Sequence, residues 1–326
     1  MSNFLSIASP SGLVGWFKSS WRQNIIYFGI VAVFIFFAIT LGDRGFTHPQ
    51  NLLNIFRQSA IIAVMAVAMT FVLASGEIDL SVGSVAGLAS VTTAMGLMSG
   101  GLFFGIGAGI LTGLIVGLVN GLLTTRLNIP SFLVTLAMMG IAVGTAMWIS
   151  DTASVPILNM GYAAFFGGGT PFGIPSLLLW MLCFGLVGHI VLKHTRFGRQ
   201  VLAVGGNLTA ARYSGVNTKR IKLAVLMISS MTAAVAGMLY AGRLQSGRFQ
   251  LGEGDELSVI AAAVLGGTAL FGGRGTVIGS IFGALMIGVI NNGLILMGLE
   301  YSQQLIARGG IIILAVAISQ MGRAKE

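Results

Sequence analysis

A chain of 326 residues that is 55% hydrophobic and only 8% charged cannot coat a water-facing surface, because soluble domains carry about 25% charged residues. It is read as an all-α polytopic membrane protein, which excludes a soluble enzyme or binding module. The net charge of +9 would suggest a nucleic-acid partner in a soluble protein; in a membrane chain it follows from basic residues held on cytoplasmic loops, and no nucleic acid is expected.

Lys18 and Arg22 precede the first apolar stretch, 24–42. That stretch is too long for the core of a cleaved signal peptide and has no convincing small-x-small site after it, so it is read as an uncleaved span. Spans need about 20 apolar residues. The further candidates are 58–75, 82–99, 102–125, 130–150, 175–192, 223–241, 257–271, 276–298 and 303–320, about ten in all. The 257–271 segment is short, and very little separates 58–75 from 82–99. The expected organisation is a cytoplasmic segment 1–23, one transmembrane domain over 24–320, and a cytoplasmic tail 321–326.

Charge sets the orientation. Lys18, Arg22, Arg126, Arg274, Arg323, Lys325 and the basic segment 193–222 share one side, while Asp43, Asp151, Glu253, Asp255, Glu256 and Glu300 collect on the other. Both termini are therefore expected in the cytoplasm. Gly105, Gly109, Gly113, Gly117 and Gly121 recur every fourth residue, as do Gly275, Gly279 and Gly283. Such stripes let helix backbones approach closely inside one subunit.

Between 58–75 and 82–99 the sequence reads VLASGEIDLSVGS, 72–84. Gly76 and Gly83 permit a bend there, and Asp79 or Ser81 could cap the helix that follows. A broken helix at membrane depth is tolerated only where protein or a watery cavity surrounds it, so Ser75, Gly76, Glu77, Asp79, Ser81 and Gly83 are candidates for a translocation path. Other polar groups in spans, Thr70, Asn120, Ser131, Thr135, Ser229, Ser230, Asn291 and Asn292, are expected mostly to bond a carbonyl or a neighbouring helix. Asn291 and Asn292 point to different faces, so at most one of them sees the path.

Enzyme chemistry is poorly represented. No Gly-Lys dipeptide occurs, so the chain has no P-loop. His48, His189, His194 and Cys183 lack metal-ligand spacing, and a single cysteine excludes a disulfide within the chain. Glu77 and Asp79, two apart, fall on different helix faces. With so few intramembrane charges, ion coupling is also poorly supported.

The longest inner connection, 193–222, is basic. Asn207 is placed to N-cap a short helix through Leu208, Thr209, Ala210, Ala211, Arg212 and Tyr213, with Gly215 placed to stop it. Arg199, Gly205, Asn207, Ala210, Ala211, Ser214 and Gly215 are the candidate partner-docking residues. On the outer side, 242–256 is expected to be a solvated loop; its Arg243, Arg248, Glu253, Asp255 and Glu256 could dock an extracytoplasmic receptor by charge.

Here the sequence resembles the permease subunit of ribose-type and related monosaccharide ABC importers. The matching stretches are SGEIDLSVGS at 75–84, HTRFGRQVLAVGGN at 194–207, AARYSGVN at 210–217, ELSVIAAAVLGGTALFGGRGTVIGS at 256–280 and NNGLILMG at 291–298. The resemblance covers nearly the whole chain in order. Asp79 fits the family pattern; Glu77 stands where the family has a second glycine. The resemblance implies a bacterial inner-membrane permease fold with broken helices and a coupling helix in 193–222. It further implies two paired permease subunits, two cytoplasmic ATPase subunits carrying the ATP and Mg, and a periplasmic sugar-binding protein. The chain itself would carry no cofactor and no metal. The alternative expectation is a self-sufficient facilitator or ion-coupled carrier of small polar solutes, and behind it an intramembrane enzyme dependent on Asp79.

Overall fold

The computed structural model of the chain describes residues 28–300, 302–307, 309, 310 and 313. The expectations for 1–23, 321–326, Lys18, Arg22, Arg323, Lys325 and most of the 303–320 span lie outside the described residues. In order, the helices are α1 Phe28–Thr40, α2 Pro49–Ala74, α3 Val82–Arg126, α4 Ser131–Ile149, α5 Met160–Ala163, α6 Ser176–His194, α7 Arg196–Gly206, α8 Leu208–Tyr213, α9 Thr218–Leu244, α10 Asp255–Leu265 and α11 Val277–Leu296. The short strands β1 Val155–Pro156 and β2 Ser246–Gly247 pair antiparallel. Among the described residues, 6 helices are long and apolar enough to cross a membrane, as a multi-pass helical protein requires.

α2 is the axis of the bundle. Every residue from Ser59 to Ala74 is buried, as expected for a helix that is apolar on all sides. The helix starts at Pro49, earlier than the sequence expectation of 58, because its polar first turns find partners. Asn51 Nδ2 donates to Phe46 O at 2.8 Å and exchanges amide hydrogen bonds with Asn292 at 2.9 and 2.8 Å.

A straight helix of 45 residues would reach about 68 Å, twice the membrane. α3 instead turns back on itself at Gly101, where φ is 75 and ψ is −164, a backbone region open essentially to glycine alone. Thr92 Oγ1 and Thr112 Oγ1 then meet at 2.9 Å, so the two limbs run antiparallel. These limbs are the predicted 82–99 and 102–125 spans. The glycine stripe on the second limb packs within the chain: Gly105 against Leu97, Gly113 against Ala234 and Ser230, Gly117 against Met227.

Two expectations are corrected. The 257–271 span is a helix of 11 residues, about 16 Å long, roughly half the hydrocarbon thickness. Gly266 and the left-handed Gly267 end it, and α11 returns alongside, with Gly283 against Ala262. The 242–256 segment is not a free loop. After the left-handed Gln245 it lies along the first limb of α3, where Gly87 faces the carbonyls of Phe249 and Leu251, and Gly83 faces that of Gly252. Side chains at Gly83 and Gly87 would fill that contact, which is why the chain can fold inward there.

Candidate functional site

The break between α2 and α3 is built from satisfied backbone. Gly76, at φ +80, ends α2: its N–H donates to Leu73 O at 2.9 Å and that of Glu77 to Val72 O at 3.1 Å, the paired pattern of a left-handed helix stop. Ser75 Oγ donates to Val72 O at 2.7 Å. The amides that follow are met by α4, since Ile78 N donates to Ser131 Oγ at 3.1 Å and Leu80 N to Thr135 Oγ1 at 3.0 Å. Inside a membrane each of these donors would otherwise be left unsatisfied.

Asp79 is fully buried. Its Oδ1 accepts from Ser81 N at 2.9 Å and Ser81 Oγ at 2.6 Å, and Asn120 Nδ2 donates to Ser81 Oγ at 3.1 Å. The expected cap therefore takes a different form. Asp79 folds the break onto Ser81, and Ser81, the N-cap position, makes no side-chain bond to the first turn of α3. Asp79 Oδ2, Asn120 Oδ1 and Ser229 Oγ are buried without hydrogen-bond partners. Glu77 Oε1 pairs with Lys222 Nζ near the start of α9.

Of the break residues, Ser75, Glu77, Asp79, Ser81 and Gly83 are buried, and Gly76 is exposed. Asn291 is elsewhere. It lines a cavity of about 40 Å³ with Gln58, Ser59, Tyr240, Asp255 and Ser258, room for a water molecule or two. Asn292 is spent on Asn51, so the two asparagines do separate.

The inner segment contains two helices. Sequence reasoning found α8: Asn207 Oδ1 accepts from Ala210 N at 2.9 Å, and Gly215 follows at φ +81. Ala211 is buried, whereas Arg199, Asn207, Ala210, Ser214 and Tyr213 are exposed, and Tyr213 is 88% exposed. Sequence reasoning missed α7, although Thr195, whose Oγ1 accepts from Gly198 N at 3.2 Å, was its legible start. α7 ends against the break: Gly205 Cα lies against Gly76, and Gly205 abuts the Ala74 carbonyl and Gly272–Gly273.

The candidate receptor-facing charges differ in exposure and partners. Arg248 Nε donates to Ser154 Oγ and Ser246 Oγ at 3.1 and 3.0 Å, and Tyr240 OH donates to Asp255 Oδ2 at 2.6 Å. Arg243 and Glu256 are half-buried, and Glu253 is exposed.

Known proteins are similar to this chain over most of its length. Residues 51–316 match the family described as branched-chain amino acid transport system / permease component. The chain is 37% identical over 313 residues to the ribose import permease protein RbsC of Escherichia coli (strain K12), covering 93% of this chain and 95% of that protein. It is 39% identical over 284 residues to RbsC of Bacillus subtilis (strain 168), covering 86% and 88%. It is also 37% identical over 318 residues to the L-arabinose transport system permease protein AraH of Escherichia coli (strain K12), covering 96% of each. The chain belongs to this family of transport-system permease components, and is a non-catalytic membrane subunit of a transporter.

Proposed function

We propose that the chain is the permease of an ATP-driven importer of a monosaccharide, in a bacterial inner membrane. The family description includes amino acid systems, but the relatives similar over nearly their whole length are named for ribose and arabinose, and this favours a sugar. On this reading the chain is a single multi-pass domain over 24–320, with both termini cytoplasmic. It pairs with a second permease, a copy or a paralogue. Two ATPase subunits, which carry ATP and Mg, dock on 193–222, and a periplasmic binding protein delivers the sugar, with Arg243, Arg248 and Glu253 as candidate contacts.

The observation that carries the reading is α8, an exposed, N-capped helix on the basic side, joined through α7 and Gly205 to the break at Gly76. An exposed helix linked through α7 to the break is suited to passing a partner's movement to the path. The test is uptake of labelled pentose into proteoliposomes holding the chain with its ATPase and binding protein. Uptake should require enclosed ATP and stop with vanadate or an inactive ATPase. Uptake by the chain alone without ATP would instead establish the facilitator.

A further inference from the structure

The Glu77 side chain is only 7% exposed. Its partner Lys222 is the fifth residue of α9 and is 26% exposed. Asn217 fixes the start of α9, with Oδ1 accepting from Arg220 N at 3.1 Å, and 214–217 alone separates α9 from α8. On the other side, Glu77 stands two residues from Asp79, which is tied through Ser81 to Asn120 on the second limb of α3. The pair therefore ties Lys222, on α9 nine residues past the end of α8, to the break.

A pair of this burial adds little net stability, because removing two charges from water offsets their attraction; what it supplies is a fixed geometry. The backbone contact of Gly205 with Ala74 and Gly76 is steric and can only push. An ion pair resists separation as well, so it transmits a pull. We infer that Glu77 and Lys222 are positioning residues, a two-way latch that makes the α2–α3 break follow the displacement of α8 and the first turn of α9. This rests on the reading of α8 as the ATPase-docking helix.

The test uses the complete reconstituted transporter, measuring sugar taken up and ATP hydrolysed in the same vesicles. Glu77→Gln and Lys222→Gln should each lower the sugar-to-ATP ratio by about fivefold, the lower end of ordinary coupling between sites. The charge reversal, Glu77→Lys with Lys222→Glu, should recover most of the ratio, a rescue that general loss of packing would not give. An unchanged ratio in both single variants, whatever their absolute rates, overturns the latch. So does a reversal variant as poorly coupled as either single one. Absence of ATP-coupled uptake in the unsubstituted transporter would overturn the importer reading itself, and is thereby distinguished from failure of the latch alone.

Discussion

Gly205→Ala is the most economical probe of the joint between α7 and the break. A methyl at Gly205 would run into the carbonyl oxygen of Ala74, with Ala74 C and Gly273 N both at 2.8 Å. All of these are backbone atoms, so none can swing aside. Ala74 O is also the acceptor for Gly273 N at 2.9 Å. Forcing a methyl into such a contact costs about 1–3 kcal/mol, and straining that hydrogen bond adds about 1 kcal/mol. Alanine returns up to about 1 kcal/mol of helix propensity, leaving a net loss of about 1–3 kcal/mol. Gly206→Ala is the matched control, since its methyl would meet only Gly273 Cα at 3.7 Å, ordinary contact, and should change stability by less than about 0.5 kcal/mol. Thermal unfolding in detergent, read by fluorescence-detected size exclusion, should show a midpoint for Gly205→Ala lower by about 2–10 °C, with Gly206→Ala near the parent. Equal midpoints for the two variants would refute the close-approach reasoning.

Four other outcomes are expected. Gly101→Ala meets nothing within 4 Å, yet should destabilise by about 1–3 kcal/mol through backbone strain alone; the same unfolding assay measures it. Thr135→Val leaves the Leu80 amide without an acceptor and should cost about 1–3 kcal/mol, whereas Thr135→Ser should not. Asn207→Ala removes the cap of α8 at about 1 kcal/mol and should weaken co-purification of the ATPase with the permease. Asp79→Asn keeps an oxygen for Ser81 and should preserve uptake, while Asp79→Leu should abolish it; full uptake by the leucine variant would refute the role given to that oxygen.

The helical membrane class was legible because lipid demands long apolar runs, and 82–99 and 102–125 emerge as the two limbs of α3. The short helix α8 was equally legible, since Asn207 and Gly215 carry local backbone rules that no tertiary contact overrides. What escaped the sequence depends on distant partners. The apolar run at 257–271 gives no sign that Gly266 and Gly267 end the helix halfway, because glycine also occurs inside packed helices. The charges at 242–256 looked solvated, but Gly83 and Gly87, some 160 residues earlier, open the groove in which that backbone lies. Both acids of the break were found from composition, whereas the sorting of their roles needed Lys222 and Ser81 in place.

The turn at Gly101 also bears on how the chain enters the bilayer. A single residue joins the limbs of α3, so no polar loop exists to be carried across in advance of the second limb. The two limbs form one hairpin with Arg126 at its trailing end, where a basic residue favours the cytoplasmic side. A chain truncated shortly after Gly101 should therefore fail to hold its orientation, which a glycosylation-site or cysteine-accessibility assay would read.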